Sequence, residues 1–387
     1  MRKYSYILFF ILALLSSCVE RYFIDENETL SPKIVIDGSI NDECEEQEIV
    51  ISQSSSTDYP KFLPYTDCWV RVNDSDGHVF EFIEDPTRPG HYTCLIDPSY
   101  LLIGKKFELE VQTPDGREYK SPYEEMLPCP EIDSLYFKIE QQPTADPNKF
   151  LDGVQFYIDF DASNYFGPYY RWILEETYEY HSTWGIKNYY DENSRYVEGP
   201  LDFSKFVCYK TEVLNEIMTL STSALRENSF KGAKLLFVDD HTQRLLYNYR
   251  LLVKQESLSE QAYVYWEKIK KNNKSDAGLF TKQPAMIVGN LVNTSDSTEI
   301  VLGYFNVTSV TSRSILLKTV KEFSFAEIPQ CTPFFFKYTD FPWDPRPLYM
   351  FWATDIADNS WSYAWSAPEC FDCTLLGGQV EKPIFFN

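Results

Sequence analysis

The sequence predicts a mainly β protein built from two β-rich domains. Aromatic residues make up 17% of the chain, with 28 Tyr and 28 Phe, and residues of this kind favour strands. Glycine is scarce and low-complexity tracts are absent, so the composition is that of a folded chain. In the first third of the sequence, short runs of alternating apolar and polar residues recur about every ten residues, which is typical of successive strands.

The N-terminus resembles a secretory signal. Two basic residues precede an apolar stretch, 4–15, and two serines follow it directly before Cys18. The apolar stretch is about 12 residues long, whereas a helix that spans a bilayer needs roughly 20. We therefore expect residues 1–17 to be a removable signal peptide and not a permanent anchor.

The four residues that end this stretch, Leu-Ser-Ser-Cys, also resemble a bacterial lipobox, in which the cysteine receives a diacylglycerol and the leader is cut before it. Several acyl chains on one residue hold a soluble domain stably at a membrane, because each buried methylene contributes roughly 0.8 kcal/mol. We expect Cys18 to be the lipidation site and 18–32 to be a lipidated linker. The alternative is an ordinary secretory leader that happens to end near a cysteine.

The chain is strongly acidic. Its formal charge is −23, from 58 acidic and 35 basic residues, and no block of basic residues offsets the excess. Nucleic acids and anionic lipid head groups are therefore poor partners, since both are bound by positive surfaces.

Residues 33–129 carry the pattern of an immunoglobulin-like β-sandwich. The alternating runs KIVIDGSI, EIVISQS, CWVRVND, HVFEFIED, HYTCLID and FELEVQT, completed by REYKSPY, have the number and spacing of such a domain. Asp76-Gly77 lies between two runs and suits a tight hairpin turn. The surrounding NDSDGH resembles a calcium loop only in part, because it lacks the distal glutamate, and we expect no metal there.

A second, larger antiparallel β-rich domain is expected over 130–387. Two prolines bracket Cys129 and disfavour strand pairing across that point, which places the boundary there. In YYRWILEETYEYH, largely aromatic positions alternate with largely charged ones, as in a strand with one face exposed to solvent. SLSEQAYVYWEKIKKNNK predicts one amphipathic helix, because Ser257 with Glu260 fits a capping box and apolar residues recur on one stripe.

Two aromatic segments of the second domain are candidate contact surfaces. STWGIKNYYDENSRYVEGP has no period and is predicted to be a loop, which either contacts a partner or merely connects strands. CTPFFFKYTDFPWDPRPLYMFWATD combines prolines with many rings, which suits stacking on sugars, gripping a protein, or capping the core. The residues that we expect to contact a glycan, a peptide or a protein partner are Trp184, Tyr189, Tyr190, Phe341 and Trp343.

The other eight cysteines divide evenly between the two domains. An exported protein meets an oxidising compartment, so the even division is compatible with disulfides within each half, while the connectivity stays open. Cys370 and Cys373 have the spacing of a redox pair or half a zinc site, but no second paired element accompanies them, which favours structural bonding or burial. The candidate disulfide cysteines are Cys44, Cys68, Cys94, Cys129, Cys208, Cys331, Cys370 and Cys373.

The sequence contains no catalytic constellation. A nucleophile elbow, a zinc-binding helix motif, a phosphate loop and a dinucleotide fingerprint are all absent. The four histidines fall in separate segments, and adjacent acids such as Glu175 and Glu176 face opposite sides of a strand. We therefore expect a protein that is not an enzyme, with no catalytic residue, no metal and no cofactor.

Several stretches resemble one family. PEIDSLYF, YYRWILEETYEY, LVKQESLSEQAYVYWEKIKKNN, GLFTKQPAMIVGNLVN and APECFDCTLLGGQVEKPIFF are similar to domain-of-unknown-function family 4249, lipoproteins of Bacteroidota outer membranes, over about 35–386. The family has no established activity, and its members are often encoded beside TonB-dependent receptors. The resemblance implies an accessory lipoprotein of the outer membrane that works with such a transporter in ligand capture or uptake. The alternative is a structural or interaction lipoprotein of the envelope without a small ligand.

Overall fold

The computed structural model describes residues 32–386, except for 44–45, 56–59, 165–166, 192, 194, 274–285, 324, 326–330, 337–346 and 355–359. These residues form a mainly β structure, as the composition predicts, with one α-helix, α1 (Glu260–Asn273). The strands before residue 130 are β1 (Ile34–Asn41), β2 (Glu46–Gln53), β3 (Leu63–Pro64), β4 (Trp69–Asp74), β5 (Val79–Glu84), β6 (His91–Leu95), β7 (Lys106–Gln112), β8 (Glu118–Lys120) and β9 (Glu124–Glu125). The later strands are β10 (Ile132–Pro143), β11 (Phe150–Asp161), β12 (Tyr169–His181), β13 (Ile186–Tyr190), β14 (Tyr196–Asp202), β15 (Val207–Val213), β16 (Met218–Ser221), β17 (Ser229–Asp239), β18 (Tyr249–Ser257), β19 (Val292–Asn293), β20 (Phe305–Thr308), β21 (Val310–Leu317), β22 (Phe334–Phe336), β23 (Tyr349–Thr354) and β24 (Trp361–Trp365).

The first sheet folds over a single core. Its hydrogen-bonded order is β19-β8-β7-β4-β5-β6-β2-β1-β20, with β3 added to β2 and β9 to β7. Alternate residues of β1, β2, β4 and β7 point inward, so Ile36, Ile49, Val72 and Leu109 share one buried cluster. The turn between β4 and β5 contains Gly77 at φ 92°, the left-handed conformation expected of the Asp-Gly turn.

The expected boundary at residue 130 is only partly correct, because the first sheet is completed by strands from the second half of the sequence. β20 pairs in parallel with β1, Gly38 opposite Phe305, and β19 pairs with β8. Phe305 and Val307 are buried in the first core. The physical reason is that the outer edges of β1 and β8 present unpaired backbone groups, and these later strands cover them.

A second core lies between two further sheets, β10-β11-β17 and β15-β12-β18-β21, with β16 added to β12. In β12 the alternation is the one that the sequence predicts: Tyr170, Trp172 and Leu174 are buried, and the residues between them are partly exposed. The rings of Tyr170 and Trp172 pack against that of Phe160 in β11, with centroid distances of 4.8 Å and 6.0 Å.

The fourth sheet has the order β14-β13-β23-β24-β22. The segment 182–200, predicted to be a loop, instead supplies the hairpin of β13 and β14, in which Tyr190 lies opposite Tyr196. The loop prediction is wrong because the two short strands have a bulge between Ile186 and Asn188, which breaks the two-residue period in the sequence.

Helix α1 begins later than the predicted capping box implies. Ser259 caps it, since its Oγ accepts a hydrogen bond from the Ala262 amide at 3.2 Å. Ser257 is instead the last residue of β18, buried, and its hydroxyl donates to the carbonyl of Pro128 at 2.7 Å. Strand pairing to β12 thus takes precedence over the cap that the sequence suggests.

Candidate functional site

The fourth sheet has an inner face that packs on the protein and an outer face that carries exposed rings. Opposed residues of neighbouring antiparallel strands share a face. Tyr189 lies opposite Tyr349 on the inner side, whereas Asn188 lies opposite Met350 on the outer side. Each aromatic side chain of this sheet can therefore be assigned to one face by its register.

Two of the predicted contact residues belong to the inner side. Trp184 and Tyr189 pack, partly buried, against a third core that contains Tyr349 and Phe371. The Trp184 ring lies 4.4 Å from the Phe351 ring and 5.2 Å from that of Phe371, centroid to centroid. Both residues thus have a packing role beneath the sheet.

The outer face, defined here as Tyr190, Tyr196, Trp352, Trp361 and Tyr363, is aromatic and open. Trp352 is 47% exposed and Trp361 71%. Trp352 lies opposite Tyr363 across β23 and β24, with ring centroids 4.1 Å apart. Of these five, sequence reasoning selected only Tyr190; the alternation within YMFWAT and WSYAW was the signal that could have found the others.

Two tyrosines of the outer face meet across the sheet. The hydroxyls of Tyr196 and Tyr363 are 3.3 Å apart, although β13 and β23 lie between their strands. Three strand spacings of about 4.8 Å, or roughly 14 Å, separate β14 from β24. Their side chains therefore extend towards each other over the two central strands.

The central strands carry a buried amide without a hydrogen-bond partner. Asn188 is 0% exposed, and neither its Oδ1 nor its Nδ2 has a partner within the described parts of the chain. Its neighbour across the strand pair, Met350, is 3% exposed and apolar. Buried side-chain amides are normally paired, so this one marks a position where a polar partner is missing.

Three of the expected functional residues, Cys18, Phe341 and Trp343, lie outside the described residues, as does Cys44. The structure therefore places only Trp184, Tyr189 and Tyr190 of the predicted contact set, with the first two beneath the sheet and the third on top of it.

Two disulfides tie the fourth sheet to the rest of its domain. Cys331 is bonded to Cys370, and Cys208 of β15 to Cys373. The two cysteines of the Cys-x-x-Cys segment thus have different partners, and neither has a free thiolate for a metal or for dithiol exchange.

Disulfides in the N-terminal half were expected, and its described cysteines contradict this. Cys68, Cys94 and Cys129 are free thiols. Each sulfur is directed to a different backbone carbonyl, that of Cys129 to Gln255 at 3.1 Å and that of Cys94 to Leu95 at 3.7 Å. Burial raises the pKa of the Cys68 thiol to about 11.

A cleft of about 420 Å³ lies beside β12, lined by residues of β12 and β15 and by Arg244. At its base, Glu176 is 2% exposed and accepts hydrogen bonds from Tyr249 at 2.8 Å and from Arg244 at 3.3 Å. Burial and the adjacent Glu176 carboxylate raise the pKa of Tyr249 well above its usual value. The carboxylate is thus already matched by a cation and a hydroxyl, which is the arrangement of a structural ion pair.

The segment NDSDGH holds a small acidic cluster with a cation of its own. Potential ligand atoms of Asp74, Asp76 and His78 lie within 4.8 Å of one another. The Lys105 ammonium is 3.3 Å from Asp74 and 2.7 Å from Asp76. Burial alone would raise the pKa of Asp74, but hydrogen bonds from His78 and Lys105 outweigh it and hold the pKa below the usual value. The lysine therefore supplies the positive charge that a metal would bring.

Taken together, these features define a mainly β protein of sandwiched sheets with an exposed aromatic sheet face. The family model described as "Domain of unknown function (DUF4249)" matches residues 19–314, and the chain belongs to this family. No curated protein matches the sequence. In the part of the chain that the structure describes, no helix combines the length and apolarity that crossing a bilayer requires.

Among solved structures, similarity is low. A DUF4785 family protein from Legionella pneumophila is 11% identical, with a TM-score of 0.19, over 58% of this chain and 52% of its own. A marsupial T cell receptor is 12% identical, with a TM-score of 0.16, over 58% of this chain and 93% of its own. The matched part thus spans about half of the Legionella protein.

Proposed function

We propose that this protein is a lipid-anchored accessory protein of the outer membrane that captures a ligand for a TonB-dependent transporter. The observation that carries the proposal is the outer face of the fourth sheet. Exposed rings in one row, such as Trp352 and Trp361, are costly to leave in water and are enriched where proteins bind ligands or partners.

The way the sheet is held supports a binding role. The Cys331–Cys370 disulfide and the third core fix it from beneath, so its rings are presented on a stiff platform. A surface that is ordered before binding loses less conformational entropy when the ligand arrives.

The membrane location rests on the N-terminal sequence. The lipobox at Cys18 would supply the anchor, and the outer membrane is the position that the resemblance described above implies. The acidic charge of −23 is consistent with attachment through lipid rather than through basic residues.

The proposal is tested by purifying the tagged full-length chain from native membranes in mild detergent. We expect a TonB-dependent transporter to co-purify, and we expect Cys18→Ser to move the protein out of the membrane fraction. A Trp352→Ala, Trp361→Ala double variant should reach the membrane and lose ligand-dependent uptake.

The matched control is Trp69→Ala, which removes a ring of similar exposure, 43%, from the first sheet. Recovery of the wild-type chain without any transporter, at native expression, would count against the transporter role. It would favour the alternative of an envelope protein with a structural or spacer role, which also predicts normal uptake in the double variant.

A further inference from the structure

We propose that the outer face is a carbohydrate-binding site and that Asn188 is its polar anchor, covered by Tyr196 and Tyr363 when no sugar is bound. The inference deepens the proposed function, on which it rests, by naming the ligand class and the residue that recognises it. It is carried by the register of the fourth sheet, the unpaired amide and the exposed rings beside it.

The register places the amide between the levels of the two tyrosines along the strands. In β14, Glu198 pairs with Asn188 and Tyr196 pairs with Tyr190. Tyr196 therefore lies two residues from Asn188 along the strand direction. In β23, Met350 pairs with Asn188, and Trp352, two residues further on, pairs with Tyr363 of β24. Tyr363 therefore lies two residues from Asn188 in the opposite direction. The two tyrosines therefore lie diagonally on opposite sides of the position of Asn188, and their hydroxyls meet at 3.3 Å.

The amide has a hydrogen-bonding capacity that the protein leaves unused. A carboxamide offers two N–H donors and an acceptor oxygen side by side. In Asn188 both heavy atoms of the amide are buried, and neither has a partner among the described residues. Two neighbouring hydroxyls of a sugar match this pattern, since each can donate and accept, and the pair can bind both atoms of the amide at once.

The rings match the other half of a sugar. A pyranose has an apolar C–H face that packs on a flat aromatic ring, and binding sites combine such rings with a few convergent polar groups. Trp352 lies on the same face as the amide, two residues beyond Met350, which is opposite Asn188. Trp361 lies two residues further along, opposite Thr354. The spacing of the two rings along neighbouring strands suits an oligosaccharide rather than a single sugar.

The net charge of the chain disfavours an anionic ligand on this face. Glu198 lies directly opposite Asn188, and the ammonium of Lys187 is 3.5 Å from that carboxylate, so its charge is already matched. The chain as a whole carries −23. A neutral polyhydroxyl compound meets no repulsion from this net charge, whereas a phosphorylated or sulfated one does.

The cover can open at small cost. Tyr196 is the more mobile half of the cover: it is 43% exposed, its ring lies 6.0 Å edge-on from that of Tyr190, and its hydroxyl lies 3.3 Å from that of Tyr363, which itself packs on Trp352. Exposed side chains change rotamer within picoseconds to nanoseconds. A sugar can therefore displace the two hydroxyls and reach the amide without any movement of the backbone.

The test uses the full-length chain, purified from membranes in mild detergent, on an array of neutral oligosaccharides of glucose, mannose, galactose and xylose and on a parallel peptide array. We expect at least one oligosaccharide to bind. Asn188→Leu and Trp352→Ala should each weaken that oligosaccharide by about tenfold or more, as loss of one or two hydrogen bonds or a stacked ring implies. Tyr196→Phe, which breaks the hydroxyl contact, should raise the association rate.

Matched controls come from the first sheet. Asn306→Leu removes another buried amide whose Nδ2 is unpaired, and Trp69→Ala removes a ring of similar exposure; both should bind as the wild type does. Binding of peptides but not sugars at the outer face, no binding of any neutral oligosaccharide, or full affinity in Asn188→Leu would each overturn the inference. The proposed transporter role is judged separately by co-purification, so failure of one does not disguise failure of the other.

Discussion

Cys370 and Cys373 are three residues apart in sequence, yet they are bonded to cysteines from two different parts of the chain. Cys370 joins Cys331, 39 residues away, and Cys373 joins Cys208, 165 residues away. The short segment between them therefore acts as a junction at which the fourth sheet and β15 are tied together.

The first prediction concerns this junction. Replacing Cys331 and Cys370 by serine should lower the free energy of unfolding by about 2–4 kcal/mol, because the bond restricts the unfolded chain over a loop of this length. Urea unfolding measures the change. As a control, Cys94→Ser removes a free thiol and should cost less than about 1 kcal/mol. A peptide map of the unreduced protein in which Cys331 is linked to Cys373 would contradict the pairing.

The second prediction concerns the buried ion pair in the cleft. Arg244→Met leaves the Glu176 carboxylate, 2% exposed, without its cation and should cost about 2–4 kcal/mol in urea unfolding. The matched control is Arg88→Met, which breaks an exposed pair with Glu48 and should cost less than about 1 kcal/mol. Adding Glu176→Gln to Arg244→Met should restore part of the loss. Equal costs for the two arginine variants would argue against a structural role for the pair.

The third prediction concerns the stability of the unpaired amide. Asn188→Leu should raise the free energy of unfolding by about 1–3 kcal/mol, because a buried polar group without a partner is replaced by an apolar one. Asn228→Leu should do the opposite, since the Asn228 amide donates to the Gly167 carbonyl at 3.0 Å. Chemical denaturation of the two variants measures both signs. A destabilised Asn188→Leu protein would mean that the amide is satisfied in solution.

The fourth prediction concerns pH. Burial raises the pKa of Glu124, which accepts hydrogen bonds from Tyr304 at 3.2 Å and Asn290 at 3.3 Å. A carboxyl with a raised folded-state pKa contributes stability below its unfolded value, near 4.5, and this contribution is lost as the pH rises through the folded pKa. The stability of Glu124→Gln relative to the wild type should therefore increase between pH 4.5 and pH 7.

Glu110 provides the control of opposite sign. Burial alone would raise its pKa, but hydrogen bonds from Lys120 and Arg71 outweigh it and lower the pKa. Its contribution is present above the unfolded pKa and is lost as the pH falls through the folded one. The deficit of Glu110→Gln relative to the wild type should thus be larger at pH 7 than at acidic pH, and urea unfolding across this range distinguishes the two carboxyls.

Sequence patterns predicted those parts of the fold that depend on near neighbours. The alternation of β12 and the turn at Gly77 follow from residues a few positions apart. The unpaired amide could not be found this way, because its surroundings come from residues distant in sequence, such as Met350 of β23, which lies opposite Asn188. The cap of α1 was misplaced for a related reason: Ser257 is held by pairing with Tyr170 of β12.

The final prediction follows from the strands that complete the first sheet. A fragment limited to residues 33–129, the domain expected from sequence, should not fold alone. It lacks Phe305 and Val307 from the first core and the strand that covers the edge of β1. Loss of a buried phenylalanine alone costs about 3–5 kcal/mol, a large part of the stability of a domain this size.

Joining residues 286–309 to that fragment through a flexible linker should restore a cooperative unfolding transition, observed by circular dichroism. The control is the same fusion with Phe305→Ala, in which the strand can still pair but the core keeps a cavity. If the fragment 33–129 unfolds cooperatively without the added segment, the later strands are not required for the first sheet to fold. If it requires them, the two halves of the sequence fold together, and substitutions in β20 should destabilise the first core as strongly as substitutions in β1 do.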